Sequence, residues 1–163
     1  MFLVGKKGTV APARWYASRK GCTAVSTVEA EVVGINDATR SLAIPMVDLL
    51  SELGHVSAEH KVFTDAQAAR SAVVKGTSKS LGHLRKVHRL SLAALHDIFT
   101  EHDDLDLEHI PGLRNVADVF TKALAGPRIQ LLRAWMGVLP EGNVELPLDR
   151  PALALDGRAG PSV

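Results

Sequence analysis

Cysteine is almost absent from this sequence: Cys22 stands alone among 163 residues. One thiol cannot close an intramolecular disulfide, so the chain reads as a protein of a reducing, intracellular setting. Long apolar runs are missing as well. The first, "MFLVG", meets Lys6 and Lys7 at once, and nothing approaches the roughly 20 residues that span a bilayer. Neither a signal peptide nor a membrane anchor is expected. Aromatic residues make up only 4%, and Trp15 and Trp135 are read as core residues rather than base-stacking platforms.

Acids are lacking from two long stretches. Met1–Val28 holds five basic residues and no acid, and Ala66–His96 holds Arg70, Lys75, Lys79, Arg85, Lys86 and Arg89, again with no acid, plus His83, His88 and His96. The net charge of +1 conceals this segregation. Either the fold supplies counter-charges to a solvated surface, or these stretches form a phosphate-binding face, which requires Lys and Arg without interleaved carboxylates.

What is present is globular. Hydrophobic residues make up 46% and charged ones 23%, which suits one compact domain of ordinary size with a tail and excludes disorder along the whole chain. "FLVGKKGTVAPARWYAS" has a hairpin pattern interrupted by Pro12. Val32, Ile35, Leu42, Met46, Leu49 and Leu53 recur at helical spacing, so one long helix is expected, split or kinked by Pro45 and stopped by Gly54. "KVFTD" reads as a strand and "AQAARSAVVKG" as a helix ended by Gly76. "HLRKVHRLSLAALHDIFTEH" reads as a single helix, and "DLDLEHIPG" alternates like a half-exposed strand. "NVADVFTKALAG" is expected to be a helix capped by Asn115 and closed at Gly126, with a short helix following in "PRIQLLRAWMGVL". From Pro140 the chain reads as a tail. The order is that of an α/β protein.

Three acids fall at predicted helix starts. Ser26 with Glu29 fits a capping box, Thr64 with Gln67 fits another and leaves Asp65 as a dipole acid, and Asn115 can cap the helix carrying Asp118. Each acid has this structural explanation on its own. In an open α/β sheet, however, strand-to-helix turns gather along one edge, where three carboxylates suit hard divalent cations and their phosphate ligands. Cys22 has no visible catalytic partner. His83 and His88 lack zinc spacing and read as part of the basic segment.

Four blocks, "RWYASRK", "STVEAE", "VFTDAQAA" and "HIPGLRNVADVFTKAL", resemble in order and spacing the ribonuclease H region that ends copia-type LTR retrotransposon Pol polyproteins. The likeness covers Phe2 to Leu139, giving a ribonuclease H-like domain over 1–139 and a flexible tail over 140–163. It implies an α/β fold with a mixed sheet flanked by helices. It implies hydrolysis of the RNA strand of RNA–DNA hybrids with two Mg2+ ions, the ligands corresponding to Glu29, Asp65 and Asp118. It also implies hybrid binding through backbone and groove shape, for which Arg70, Lys75, Lys79, Arg85, Lys86, His88 and Arg89 are the candidate contacts. Glu31 corresponds to a helix-surface residue.

The family carries a further aspartate on a first, central strand. This chain begins at what resembles the second strand, and no acid precedes Glu29. The expectation is impaired catalysis and marginal stability, unless the rest of a polyprotein supplies the missing strand. The alternative is a non-catalytic nucleic-acid-binding remnant of a transposable element. The family's histidine before the last helix has no counterpart in "PGLRN"; His109 lies on the strand before it.

Overall fold

The computed structural model describes residues 2–4, 11–15, 17, 23–54 and 59–138. The turn holding Lys6 and Lys7, Cys22 and the tail from Pro140 lie outside the described residues. The elements in chain order are β1 (Phe2–Val4), β2 (Ala11–Arg14), α1 (Thr27–Ala38), α2 (Ile44–Glu52), β3 (His60–Thr64), α3 (Gln67–Lys75), α4 (Leu84–Val87), α5 (Leu92–Glu101), β4 (Leu105–His109) and α6 (Gly126–Trp135). This is a mixed α/β protein, as the sequence pattern implied. It forms two compact units, one of Ser18–Asn115 and one of Met1–Ala17 with Val116–Val163.

In the Ser18–Asn115 unit, β3 and β4 pair in parallel, His60 opposite Leu105 through to Thr64 opposite His109. Their connection carries α3, α4 and α5, as a parallel pair requires a long crossover. His60 N–H donates to the Asp104 carbonyl and Ile110 N–H to the Thr64 carbonyl, so the even-numbered residues of β3 address β4. By strand alternation, Lys61 and Phe63 direct their backbone N–H and C=O groups to the opposite edge. Among the described residues no strand pairs with that edge. Lys61 instead bridges to Glu108 at 2.8 Å, and that carboxylate raises the lysine above its ordinary pKa.

One face of the parallel pair meets a core of aliphatic side chains. Val32 and Ile35 of α1, Val73 of α3, Leu84 of α4, Leu95 of α5 and Leu107 of β4 belong to one buried cluster. Aliphatic packing explains how so few aromatics suffice.

The long helix over Val32–Leu53 is split, as Pro45 led one to expect. Thr39–Ala43 forms a π-helical turn between α1 and α2, closed by Ile44 N–H to the Thr39 carbonyl. The cause is Pro45, which has no N–H and whose ring would press on the carbonyl four residues back; widening the turn relieves that clash. Each extra residue rotates a helical stripe by about 100°. Val32, Ile35 and Leu42 are accordingly buried, whereas Leu49 and Leu53 face solvent at 45% and 65% exposure.

"HLRKVHRLSLAALHDIFTEH" is two helices rather than one. Arg89 takes a left-handed φ of 52°, Leu90 N–H returns to the Leu84 carbonyl, and the Ser91 hydroxyl caps α5 by accepting from Ala94 N–H. A serine that can cap competes with a helix that would run through it. "NVADVFTKALAG" also departs from expectation: only Val116–Phe120 is helical, as a 3-10 turn, and Gly126 opens α6 instead of closing a helix. Pro127 accounts for the restart, since proline suits a helix's first turn and breaks its interior.

Gly54 and Gly76 stop their helices in left-handed conformation, at φ 86° and 67°. A Cβ on Gly76 would stand 3.1 Å from the His96 ring, whereas one on Gly54 meets nothing within 4 Å. Gly54→Ala is therefore expected to cost about 1–2 kcal/mol from backbone strain alone, and Gly76→Ala more, because the His96 ring must also shift. Urea denaturation with an unchanged slope checks both, and equal losses would show that the ring yields freely.

In the second unit, β1 and β2 form the expected antiparallel hairpin, with a bulge at the Phe2–Leu3 step. Val116, Leu132, Trp135 and Met136 make a separate small core, and Arg128 lies over the Trp135 ring at 5.7 Å.

Candidate functional site

Glu29 occupies the first turn of α1. The Ser26 hydroxyl accepts from Glu29 N–H at 3.1 Å, which is half of the anticipated capping box. The carboxylate does not complete it at Ser26: Oε2 accepts from Val25 N–H at 2.8 Å. The same group is then held from across the fold. His88 Nε2 lies 2.7 Å from Oε1, and His83 Nε2 lies 3.1 Å from Oε2, in ion-pair range though out of line for a hydrogen bond. Glu29 has no exposed surface, His88 exposes 8% of its side chain and His83 exposes 37%.

This surrounding draws the Glu29 carboxyl down to about 2. The His83 imidazole is the main cause; burial works in the other direction, and Val25 N–H and His88 add to the lowering. The physical content is that three nitrogen groups favour the charged carboxylate over its acid. A metal ion at Glu29 would have to displace these partners. As placed, the carboxylate fits imidazoles better than a pair of divalent ions.

Asp65 stands just past the carboxyl end of β3, before α3, half-buried. The capping box expected here does not form. Ala66 is the cap residue of α3 and has no side-chain cap bond, while the Thr64 hydroxyl accepts from Ala66 N–H at 3.2 Å and turns the chain. Gly112, in the loop after β4, brings its backbone against Asp65: a Cβ there would be 3.4 Å from Oδ2. The acid therefore lies at the edge where both parallel strands end, the place that open α/β sheets use for ligands.

Asp118 belongs to the other unit. It is buried in the 3-10 turn at Val116–Phe120, and Oδ2 accepts from Lys122 Nζ at 2.9 Å. Among the described residues, no three His, Cys, Asp or Glu side chains come together in an arrangement that could hold a metal ion.

The basic candidates divide by environment. Lys75, Lys79, Arg85, Lys86 and Arg89 are exposed and free of nearby carboxylates along the chain. Arg70 is half-buried and donates from Nε to the Leu107 carbonyl at 2.9 Å, which ties α3 to β4. His88 is taken up by Glu29 and is no surface contact. Trp15, expected in the core, is instead 59% exposed, whereas Trp135 is buried as expected. The Glu29–His83–His88 cluster escaped the sequence reading because its members are 54 and 59 residues apart. Two histidines in an acid-free stretch were the only hint of a buried counter-charge.

Among the described residues, no helix is long and apolar enough to cross a membrane. No protein-family profile, curated protein or solved structure matches this chain.

Proposed function

We propose that this chain is a ribonuclease H-like domain derived from a copia-type retrotransposon polyprotein, with its two-metal hydrolysis of RNA in RNA–DNA hybrids impaired. The observation that carries the reading is Asp65 at the carboxyl end of a parallel strand pair, followed directly by a helix, with α1, which carries Glu29 in its first turn, packed against the same strand. That is where the resemblance puts two of its metal-ligand acids. The edge of β3 that no described strand pairs with, toward which the Lys61 and Phe63 backbone groups are directed, is where the resemblance puts a further strand carrying an aspartate.

The Glu29 clamp favours the second reading, a nucleic-acid-binding remnant without the chemistry. Glu29 is engaged by Val25, His83 and His88, while the exposed Lys75, Lys79, Arg85, Lys86 and Arg89 remain suited to phosphates.

One experiment separates the readings. The purified chain is expected to bind a blunt RNA–DNA hybrid with an affinity that falls steeply as salt rises, each neutralised phosphate steepening the logarithmic slope by about 0.9, and to cleave it weakly or not at all with magnesium. Robust cleavage lost on Asp65→Asn overturns the impairment. Binding without a salt dependence, or none at low salt, overturns the nucleic-acid reading altogether.

A further inference from the structure

In the unit of Met1–Ala17 and Val116–Val163, the two aromatic rings of Trp15 and Phe120 stack on one another at the surface. Their planes lie within 5° and their centroids 6.4 Å apart, yet Trp15 is 59% exposed and Phe120 38% exposed. For rings in face contact at about 3.5 Å, a 6.4 Å centroid distance means a sideways offset of roughly 5 Å. The rings then meet only edge by edge, and each leaves most of a face uncovered. Trp135 and Leu132 of the same unit are buried.

Among the described residues of this unit, cations outnumber acids. The described residues of this unit include four cations, Arg14, Lys122, Arg128 and Arg133, and one acid, Asp118, a balance of +3 from four positive charges and one negative. That acid is buried and paired with Lys122. Arg14 directly precedes Trp15, and Lys122 follows Phe120 by two residues. Exposed aromatic faces in a unit whose described residues carry a surplus of cations and no exposed carboxylate match the two components of an unpaired nucleotide: a base that stacks and a phosphate that pairs.

We infer that Trp15 and Phe120 form a stacking platform for an unpaired base of a nucleic acid strand, with Arg14 as a phosphate contact beside it. The inference rests on the nucleic-acid reading above and specifies where a single-stranded overhang binds. An apolar protein partner would not call for the surplus of cations among this unit's described residues. A duplex presents its bases already stacked, so a hybrid with a single-stranded overhang binds more tightly than a blunt one.

The test uses the full chain and a 12-nucleotide single-stranded RNA carrying 5-iodouridine. Irradiation of the complex is expected to crosslink the iodinated base to Trp15 or Phe120, mapped by peptide mass; crosslinks confined to other residues overturn the platform. In binding titrations Trp15→Ala is expected to weaken binding about 5- to 150-fold, from the 1–3 kcal/mol that one stacked base contributes. Trp15→Phe retains most of the affinity. The salt slope stays the same in Trp15→Ala and becomes shallower in Arg14→Gln. A chain that binds the RNA with a steep salt slope but ignores Trp15→Ala loses the platform and keeps the nucleic-acid reading. A chain that binds neither RNA nor hybrid at low salt loses both. The crosslink is read on the unaltered protein, so a variant that misfolds does not remove the test.

Discussion

Leu95→Ala is expected to destabilise the Ser18–Asn115 unit by about 2–5 kcal/mol. Leu95 has no exposed surface and sits in the cluster that joins α1, α3 and α5 to β4. Truncation removes the transfer free energy of the lost carbons and leaves a cavity that neighbours on four different elements cannot close together. Against the 5–15 kcal/mol typical of a whole domain, a loss of this size removes much of the margin. Urea denaturation followed by far-ultraviolet circular dichroism should show the midpoint fall at constant slope. A loss under about 1 kcal/mol would mean that the helices collapse into the space, and that this core is loosely packed.

Glu29→Gln is expected to lower stability at pH 5 and to lose that disadvantage as the solution is acidified. The folded carboxyl lies at about 2 against an ordinary value of 4.5. A depressed acid contributes stability in full above its unfolded pKa and loses it as pH falls through its folded one. The stability difference between parent and variant should therefore be constant above about pH 4.5 and shrink progressively towards pH 2, as measured by denaturant titration at each pH. Gln keeps one oxygen for Val25 N–H but offers no charge to His83 and His88. A difference that stays constant from pH 5 to pH 2 would show that the clamp is not electrostatic. If the chain binds nucleic acid as proposed, the same variant is expected to bind an RNA–DNA hybrid with unchanged affinity, because its carboxylate holds two imidazoles rather than a ligand.

Much of the local structure was legible in the sequence, for local reasons. Gly54 and Gly76 end helices because only glycine takes a left-handed backbone cheaply. Ser26 caps α1 because its hydroxyl reaches an amide three residues on. The alternation in "DLDLEHIPG" marks β4, with Leu105 and Leu107 inward. Pro45 announced an interruption in the first helix, though not that a π turn would carry it or that Leu49 and Leu53 would thereby turn outward.

The candidate acids were legible by position and not by environment. Asp65 was placed at a strand-to-helix corner from "VFTDAQAAR" alone and is found there. Its supposed capping partners do something else, since the Thr64 hydroxyl serves Ala66. Glu29 was equally well placed along the chain, but nothing within four residues foretold the two histidines that enclose it. Trp15 was assigned to the core on the general behaviour of tryptophan, and packing left it outside.

The amino-acid sequence by itself determined the mixed α/β class, the strands, the helix ends at Ser26, Gly54 and Gly76, the acid-free basic stretches and the positions of Glu29, Asp65 and Asp118. These depend on φ preferences, hydrogen bonds within a turn and the period of apolar residues, all of which act over a few positions. Tertiary structure alone decided that His83 and His88 close on Glu29, that the Lys61 and Phe63 backbone faces an edge with which no described strand pairs, and that Trp15 and Phe120 stack in solvent. Each of these depends on which elements pack together, and a contact across 59 residues leaves no trace in either residue's neighbours.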